Sequence, residues 1–213
     1  MAKMITNEEK NNAIIQEISE LIATYSGLSY WSDDNGNYIV FGKLIFKATY
    51  NEKSIKEEYD VEIIINDKYP DSLPSVKEIG HRIPRDFHQY KEEGLLCLGA
   101  PLDMKRQFNK KRTLLGFVEN LIIPYLYSYS IKENKGIMPY GELSHGVEGI
   151  LESYKELLGI DNDFVVLRFL KILSDDNYRG HIDCPCGSNK KLRNCHGNIL
   201  INRHKPLPLV VVQ

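Results

Sequence analysis

Apolar residues recur at helical spacing near the start of the chain: Ile14, Ile18, Leu21, Ile22 and Tyr25 fall on one face. Ahead of them, Thr6-Asn7-Glu8-Glu9 has the form of a capping box, with Thr6 as N-cap and Glu9 reaching back. Together they predict a first helix over roughly 7–25, stopped by Gly27. "DDNGN" (33–37) reads as a turn. The period then changes. "YIVFGKLIFKATY" (38–50) and "EYDVEIIIN" (58–66) are rich in β-branched and aromatic residues and predict two strands. The polar "NEKSIKEE" between them is expected as a hairpin loop. In "KYPDSLPSV" (68–76) two prolines end the strand and force an extended excursion. A short third strand is expected near Ser75–Ile79.

"DFHQYKEEGLLCLGAP" (86–101) has little periodic pattern and predicts a long loop. Helical patterning resumes with Leu114, Phe117, Val118, Leu121 and Ile122, in a helix that Pro124 ends or kinks. Another helix reads from Val147 to Leu158, with Gly159 beyond its end. Asp163 is placed to cap a last one through Leu173. Helix, antiparallel strands, long loop, then helices is the order of an α+β fold. "SDDNYRG" (174–180) reads as a linker, so two domains are expected, 1–175 and 176–213. The tail "PLPLVVVQ" suits either an edge strand or a disordered end.

Composition narrows the function classes. The chain has 213 residues, 42% hydrophobic and 26% charged, which is ordinary for a soluble globular protein. A net charge of -2 gives no general pull toward nucleic acid or membrane. No apolar run approaches the ~20 residues of a membrane helix. "MAKMITNEEKNN" is polar where a signal peptide would be apolar, so a cytoplasmic location is expected. The one tryptophan, Trp31, is expected in the core.

Three of the four cysteines lie close together: Cys184, Cys186 and Cys195, followed by His196. In a reducing compartment such clustering points to a metal and not to disulfides. Two thiolates one residue apart can share an ion on a tight knuckle, and an adjacent Cys-His pair can close a tetrahedron. Zinc prefers four such S/N ligands, and four protein ligands leave no open position, so a structural Zn2+ is expected. "CPCGSNKKLRNCHG" closely resembles the SEC-C motif, first known from the tail of the SecA translocation ATPase. That resemblance implies a small adaptor module. Lys190, Lys191 and Arg193 could meet an acidic partner or simply form a solvated turn. His181 and His204 read as exposed bystanders.

That leaves Cys97 outside the cluster. Gly94, Gly99 and Pro101 around it mark a loop, although "LLCL" alone would suit a buried filler. "YPDSLPSV" (69–76) is similar to the "YPxxPPxV" segment of the ubiquitin-conjugating (UBC) family. "DFHQYKEEGLLCLG" is similar to that family's "HPN…GxICL" segment. Pro74 precedes Cys97 by 23 residues, a loop of the family's size. "PYGELSHGVEGILESYKELLG" (139–159) resembles bacterial members found in ubiquitin-like conjugation and antiphage defence operons. The resemblance covers about residues 5–160 and implies a UBC-like fold with Cys97 as thioester carrier.

The family's His-Pro-Asn is absent. If its spacing is kept, Gln89 stands at the asparagine, whose job is to steady an oxyanion or the loop that does so. If His88 is aligned with the histidine, Tyr90 stands there. Phe108 stands where the family has a tryptophan after the cysteine. His88 is the nearest base candidate, with Asp86 or Asp103 as others and His145 less so. The basic "KRQFNKKR" (105–112) could steer an acidic modifier or partner, contact nucleic acid, or be a solvated loop.

The implied partners are the C-terminus of a ubiquitin-like protein or partner enzyme, an activating enzyme, and a nucleotide cyclase of the same operon. A non-catalytic UBC/RWD-like adaptor and a Cys-His hydrolase of conjugates are the rival classes.

Overall fold

The computed structural model describes residues 6–90, 92–139, 146–173, 180–202 and 210–212. It is an α+β structure in two compact units: Met1–Tyr140 with Leu207–Gln213, and Gly141–Pro206. The expected linker lies almost wholly outside the described residues, as do His145 and His204.

Helix α1 (Asn7–Thr24) opens with the expected capping box: the Glu9 amide donates to Thr6 Oγ1 (3.2 Å), and the Thr6 amide donates to Glu9 Oε2 (2.9 Å). Ile14, Ile18 and Leu21 are buried. The helix ends before Gly27, which serves packing instead of a cap: a Cβ there would stand 2.4 Å from the Lys43 carbonyl oxygen.

Four strands follow in an antiparallel meander: β1 (Leu28–Ser32), β2 (Tyr38–Tyr50), β3 (Lys53–Ile65) and β4 (Ser75–Glu78). β1 was not evident in the sequence. Only Leu28 of it is buried, and Trp31, expected in the core, is 51% exposed on this edge strand. The "NEKSIKEE" loop is also corrected. The turn is only Asn51 and Glu52, with positive φ of 45° and 65°, and Tyr50 pairs directly with Lys53. Two left-handed residues match the twist of a tight hairpin, so the strands continue through the polar stretch. A final strand, β5 (Val210–Val212), pairs with β2 at Lys47–Thr49.

The expected solvated basic loop after Cys97 is helix α2 (Pro101–Lys110). Proline at its first turn suits a position that needs no amide donor. Its buried anchor is Phe108, which meets the rings of Tyr69 (6.0 Å) and Phe117 (6.4 Å) edge-on. A continuous helical run comes next: α3 (Leu114–Phe117), a π-helical turn (Val118–Ile122) and α4 (Ile123–Lys135). Pro124 neither ends it nor stands alone in it, because the wider π turn just ahead absorbs the missing donor and the ring. Residues Ile123 through Ile131 are all buried, between the sheet and the loop that carries Cys97.

The second unit begins with α5 (Gly146–Leu158) and α6 (Asp163–Leu173). Gly159, at φ 65°, terminates α5. Asn162, and not Asp163, caps α6: its side-chain oxygen accepts from the Val165 amide at 3.2 Å. A short helix α7 (Gly197–Asn202) follows the cysteine cluster. No helix among the described residues is long and apolar enough to cross a membrane.

Phe108 locks α2 onto the core just past Cys97. Phe108→Ala is therefore expected to lower the unfolding free energy by about 3–5 kcal/mol, measured by chemical denaturation.

Candidate functional site

The described residues between 79 and 100 form no helix, yet backbone bonds fix their course. The Leu96 amide donates to the Val76 carbonyl (2.8 Å), and Leu95 bridges Lys77, which lays this segment along β4. Residues 88–90 fold back on its other side. The Cys97 amide donates to the His88 carbonyl (2.7 Å), and the Tyr90 amide donates to the Leu95 carbonyl (2.8 Å). Gln89 bridges Leu96 between them. Gly94, at φ 66°, closes the turn with its amide on the Tyr90 carbonyl (2.8 Å). In this register His88 stands opposite Cys97 and Tyr90 opposite Leu95, while Gln89 and Leu96 belong to the other face. Leu96 is buried and Cys97 half-buried.

Helix α4 holds the loop from beneath. The Tyr125 phenol donates to the carbonyls of Phe87 (3.0 Å) and His88 (3.3 Å). One turn on, the Tyr129 phenol donates to the Arg82 carbonyl (2.8 Å). The buried Phe87 ring packs edge-on to Tyr125 (5.6 Å) and Tyr129 (5.0 Å), and Lys132 Nζ stands 4.9 Å from its centroid. Arg82 itself bridges Glu57 (2.7 Å) and Glu133 (2.6 Å). Tyr125 escaped the sequence reading. Its signal is the i, i+4 spacing of Tyr125 and Tyr129, which places both phenols on one face of the helix.

Gln89 turns its amide away from the thiol: Nε2 donates to the Ile83 carbonyl (3.2 Å) and lies 3.4 Å from that of Pro84. The amide therefore ties the loop to itself. Tyr90 is 53% exposed. The charge of Cys97, with desolvation and a side-chain hydrogen bond to Cys97, raises the Tyr90 phenol above its ordinary pKa. A phenol raised in this way is protonated throughout the neutral range. Burial and then the charge of Cys97 likewise raise the Tyr125 phenol. The His88 ring meets Phe87 edge-on at 4.8 Å. Asp86 is exposed, and Asp103 lies 4.0 Å from Arg106. The basic run is partly neutralised, with Lys111 on Glu119 (3.1 Å) and Arg112 on Asp71 (2.6 Å).

In the second unit, the cluster is built on a small hairpin. The Cys184 amide donates to the Lys190 carbonyl (2.9 Å), the Leu192 amide to that of Ile182 (2.9 Å), and Lys191 pairs with Asp183 (2.8 Å). Gly187 and Asn189, at φ 77° and 56°, make the sharp bends. These bends bring together the ligand atoms of Cys184, Cys186, Cys195 and His196, all within 4.8 Å of one another. Sulfur–sulfur distances are 3.4 Å (Cys184–Cys186) and 3.6 Å (Cys186–Cys195). His196 Nδ1 lies 3.3 Å from Cys184 Sγ and 3.2 Å from Cys195 Sγ. A tetrahedral ion with ordinary zinc bond lengths would give edges of about 3.8 and 3.5 Å, so the donors fit one to within a few tenths of an ångström on these edges.

Burial pushes the Cys184 thiol up to about 11. Burial also opposes ionisation of Cys186, but hydrogen bonds with Ser188 and the neighbouring thiols bring it down to about 6. The cluster rests on Leu158, Val166, Phe169 and Leu192, with the Phe169 ring 5.3 Å from that of His196. Lys190, Arg193 and His181 are exposed.

Removing the thiol is expected to let the Tyr90 phenol fall back toward its ordinary value, since a phenolate is disfavoured beside a second anion. Tyrosine-selective NMR titration of the wild type and Cys97→Ala checks this, and an unchanged Tyr90 titration would separate the two groups. Among known proteins, no curated protein matches the chain. The SEC-C motif family matches residues 183–198, so the Cys3His hairpin is a SEC-C motif with a donor set compatible with a metal ion.

Proposed function

We propose that the protein is a ubiquitin-conjugating-like acyl transferase with Cys97 as its thioester carrier. The observation that carries this reading is the pinned loop. A half-buried thiol stands outside the core, its own amide bonded to the His88 carbonyl, with His88 and Tyr90 on its face of the hairpin. The order of helix, antiparallel meander, cysteine loop and helices supports a UBC-like fold for the first unit.

In the proposed cycle, the Cys97 thiolate attacks the thioester carbonyl of an activated C-terminus. That releases the activating enzyme's thiol and leaves the acyl group on Cys97. An amine then attacks the new thioester. The tetrahedral oxyanion collapses to an amide, the amine's proton leaves to a base, and the Cys97 thiolate departs. Tyr90 donates to that oxyanion, the task first considered for either Gln89 or Tyr90. Gln89 keeps the loop in shape. His88, paired with Cys97 in the backbone register, is the proton acceptor. The acyl donor is a ubiquitin-like protein or a partner enzyme's own C-terminus, a nucleotide cyclase encoded alongside being one such enzyme.

The SEC-C cluster, on this reading, holds Zn2+ in a closed structural site that organises the second unit. Three soft thiolates and an imidazole are the donor set zinc prefers, and no fifth protein donor or open position is called for.

Incubation with operon partners and an activating enzyme is expected to give a thiol-sensitive adduct, absent in Cys97→Ala. Tyr90→Phe is expected to slow transfer to the amine about 10²-fold while loading persists. No adduct with any operon partner favours the adaptor; cleavage of a conjugate without an adduct favours the hydrolase. Metal analysis is expected to find about one equivalent of zinc, and less than about half an equivalent would overturn the assignment.

A further inference from the structure

Two residues of the Cys97 loop that carry a Cβ have positive φ: His81 at 58° and His88 at 40°. Side chains rarely adopt this left-handed backbone, because the Cβ crowds the following carbonyl. His81 lies exposed just past β4, whereas His88 stands opposite Cys97 in the hairpin. A strained backbone persists only where its surroundings hold it there.

What holds His88 is visible at its carbonyl. In an extended strand successive carbonyls point to opposite sides. Those of Phe87 and His88 instead both reach the Tyr125 phenol oxygen, at 3.0 and 3.3 Å. The left-handed bend at His88 is what turns two neighbouring carbonyls toward one donor, and the single phenol proton is shared between them. The His88 carbonyl has a second donor, the Cys97 amide at 2.7 Å. One peptide group is therefore clamped between a buried side chain and the backbone of the cysteine. The Tyr125 ring is buried edge-on against Phe87 at 5.6 Å, which fixes the direction of its hydroxyl. Burial, and then the charge of Cys97, keep that phenol protonated, so it serves as a donor and not as an acid or base.

We propose that Tyr125 is a positioning residue for Cys97: it holds His88 in the left-handed conformation and, through that bend, fixes the peptide to which the cysteine's amide is bonded. Without the hydroxyl, His88 is free to return to negative φ, and the Cys97 amide loses its fixed acceptor. The consequence for catalysis rests on the reading of Cys97 as acyl carrier, whereas the consequence for the loop does not.

Amide hydrogen exchange of the full chain, read residue by residue by NMR, tests the loop directly. Tyr125→Phe keeps the ring and its packing and removes only the hydroxyl. In that variant the Cys97 amide is expected to exchange ~10-fold faster, as a local opening. The neighbouring Leu96 amide, held by the Val76 carbonyl at 2.8 Å, is expected to stay within ~2-fold of wild type. Glycine takes the left-handed conformation without a Cβ cost, so adding His88→Gly to Tyr125→Phe is expected to return most of the lost protection at Cys97. A merely structural role for the phenol would loosen Leu96 and Cys97 together and would gain nothing from His88→Gly. An unchanged Cys97 amide in Tyr125→Phe, equal loosening at Leu96, or no recovery with His88→Gly overturns the proposal. In the thioester assay, Tyr125→Phe is expected to slow loading and transfer alike, unlike Tyr90→Phe, which spares loading. If the exchange result holds and the wild type forms no adduct, the positioning of Cys97 by Tyr125 stands and the carrier reading falls. If adducts form and the exchange result fails, the carrier reading stands and the positioning role falls.

Discussion

Helix α4 is buried on every side as far as Ile131, and the first unit is organised around that burial. Nine consecutive residues, Ile123 to Ile131, are out of solvent, and five of them carry hydroxyls. A buried hydroxyl without a partner costs about 1–3 kcal/mol, so each must find one. All five do. Tyr59 meets Ser130 at 2.6 Å, Tyr127 reaches the Lys53 carbonyl at 2.9 Å, and Ser128 bonds back to the Pro124 carbonyl at 3.0 Å. Tyr125 and Tyr129 take carbonyls of the long loop. The helix thus specifies where β3 and the loop must lie, because only that arrangement satisfies its polar atoms.

The position of Cys97 is a consequence. Its amide bonds to the same His88 carbonyl that Tyr125 approaches, so the buried helix and the half-exposed thiol share one backbone atom. Arg82, tied to both Glu57 and Glu133, steadies the loop's first half. A cysteine held this way has a defined direction of approach, which suits a carrier that must meet a donor and an acceptor in turn. The second unit solves a different problem. Its buried core is small, essentially Leu158, Val166, Phe169, Cys184 and Leu192. Small cores are marginal alone, and a bound structural metal would supply what apolar burial lacks.

Legibility in the sequence followed the density of local signals. The capping box at Thr6 and the stripe from Ile14 to Leu21 were readable because both depend on residues a turn apart. The cysteine spacing was readable for the same reason: the hairpin that gathers the donors is itself local. α2 was hidden because charged side chains mask its buried anchor, Phe108, whose burial is decided by Phe117 and by Tyr69, the latter far along the chain. Trp31 was misjudged because its apolar bulk says nothing about which face of an edge strand remains open. The long polar hairpin was misjudged because two positive-φ residues, not polarity, set where the strands turn.

By itself the sequence determined the helix–meander–loop–helix order, the metal-donor set, and the separation of Cys97 from the other cysteines. These depend on periodicity, caps and spacing, which are properties of neighbours in the chain. Only the tertiary structure decided which residue stands beside the thiol. In the sequence Gln89 and Tyr90 compete for the asparagine's place and His88 is the base candidate, but strand register alternates faces. It sends Gln89 back to the Ile83 carbonyl and leaves His88 and Tyr90 on the face of Cys97. That choice rests on bonds to β4 and α4, contacts that sequence neighbours cannot report.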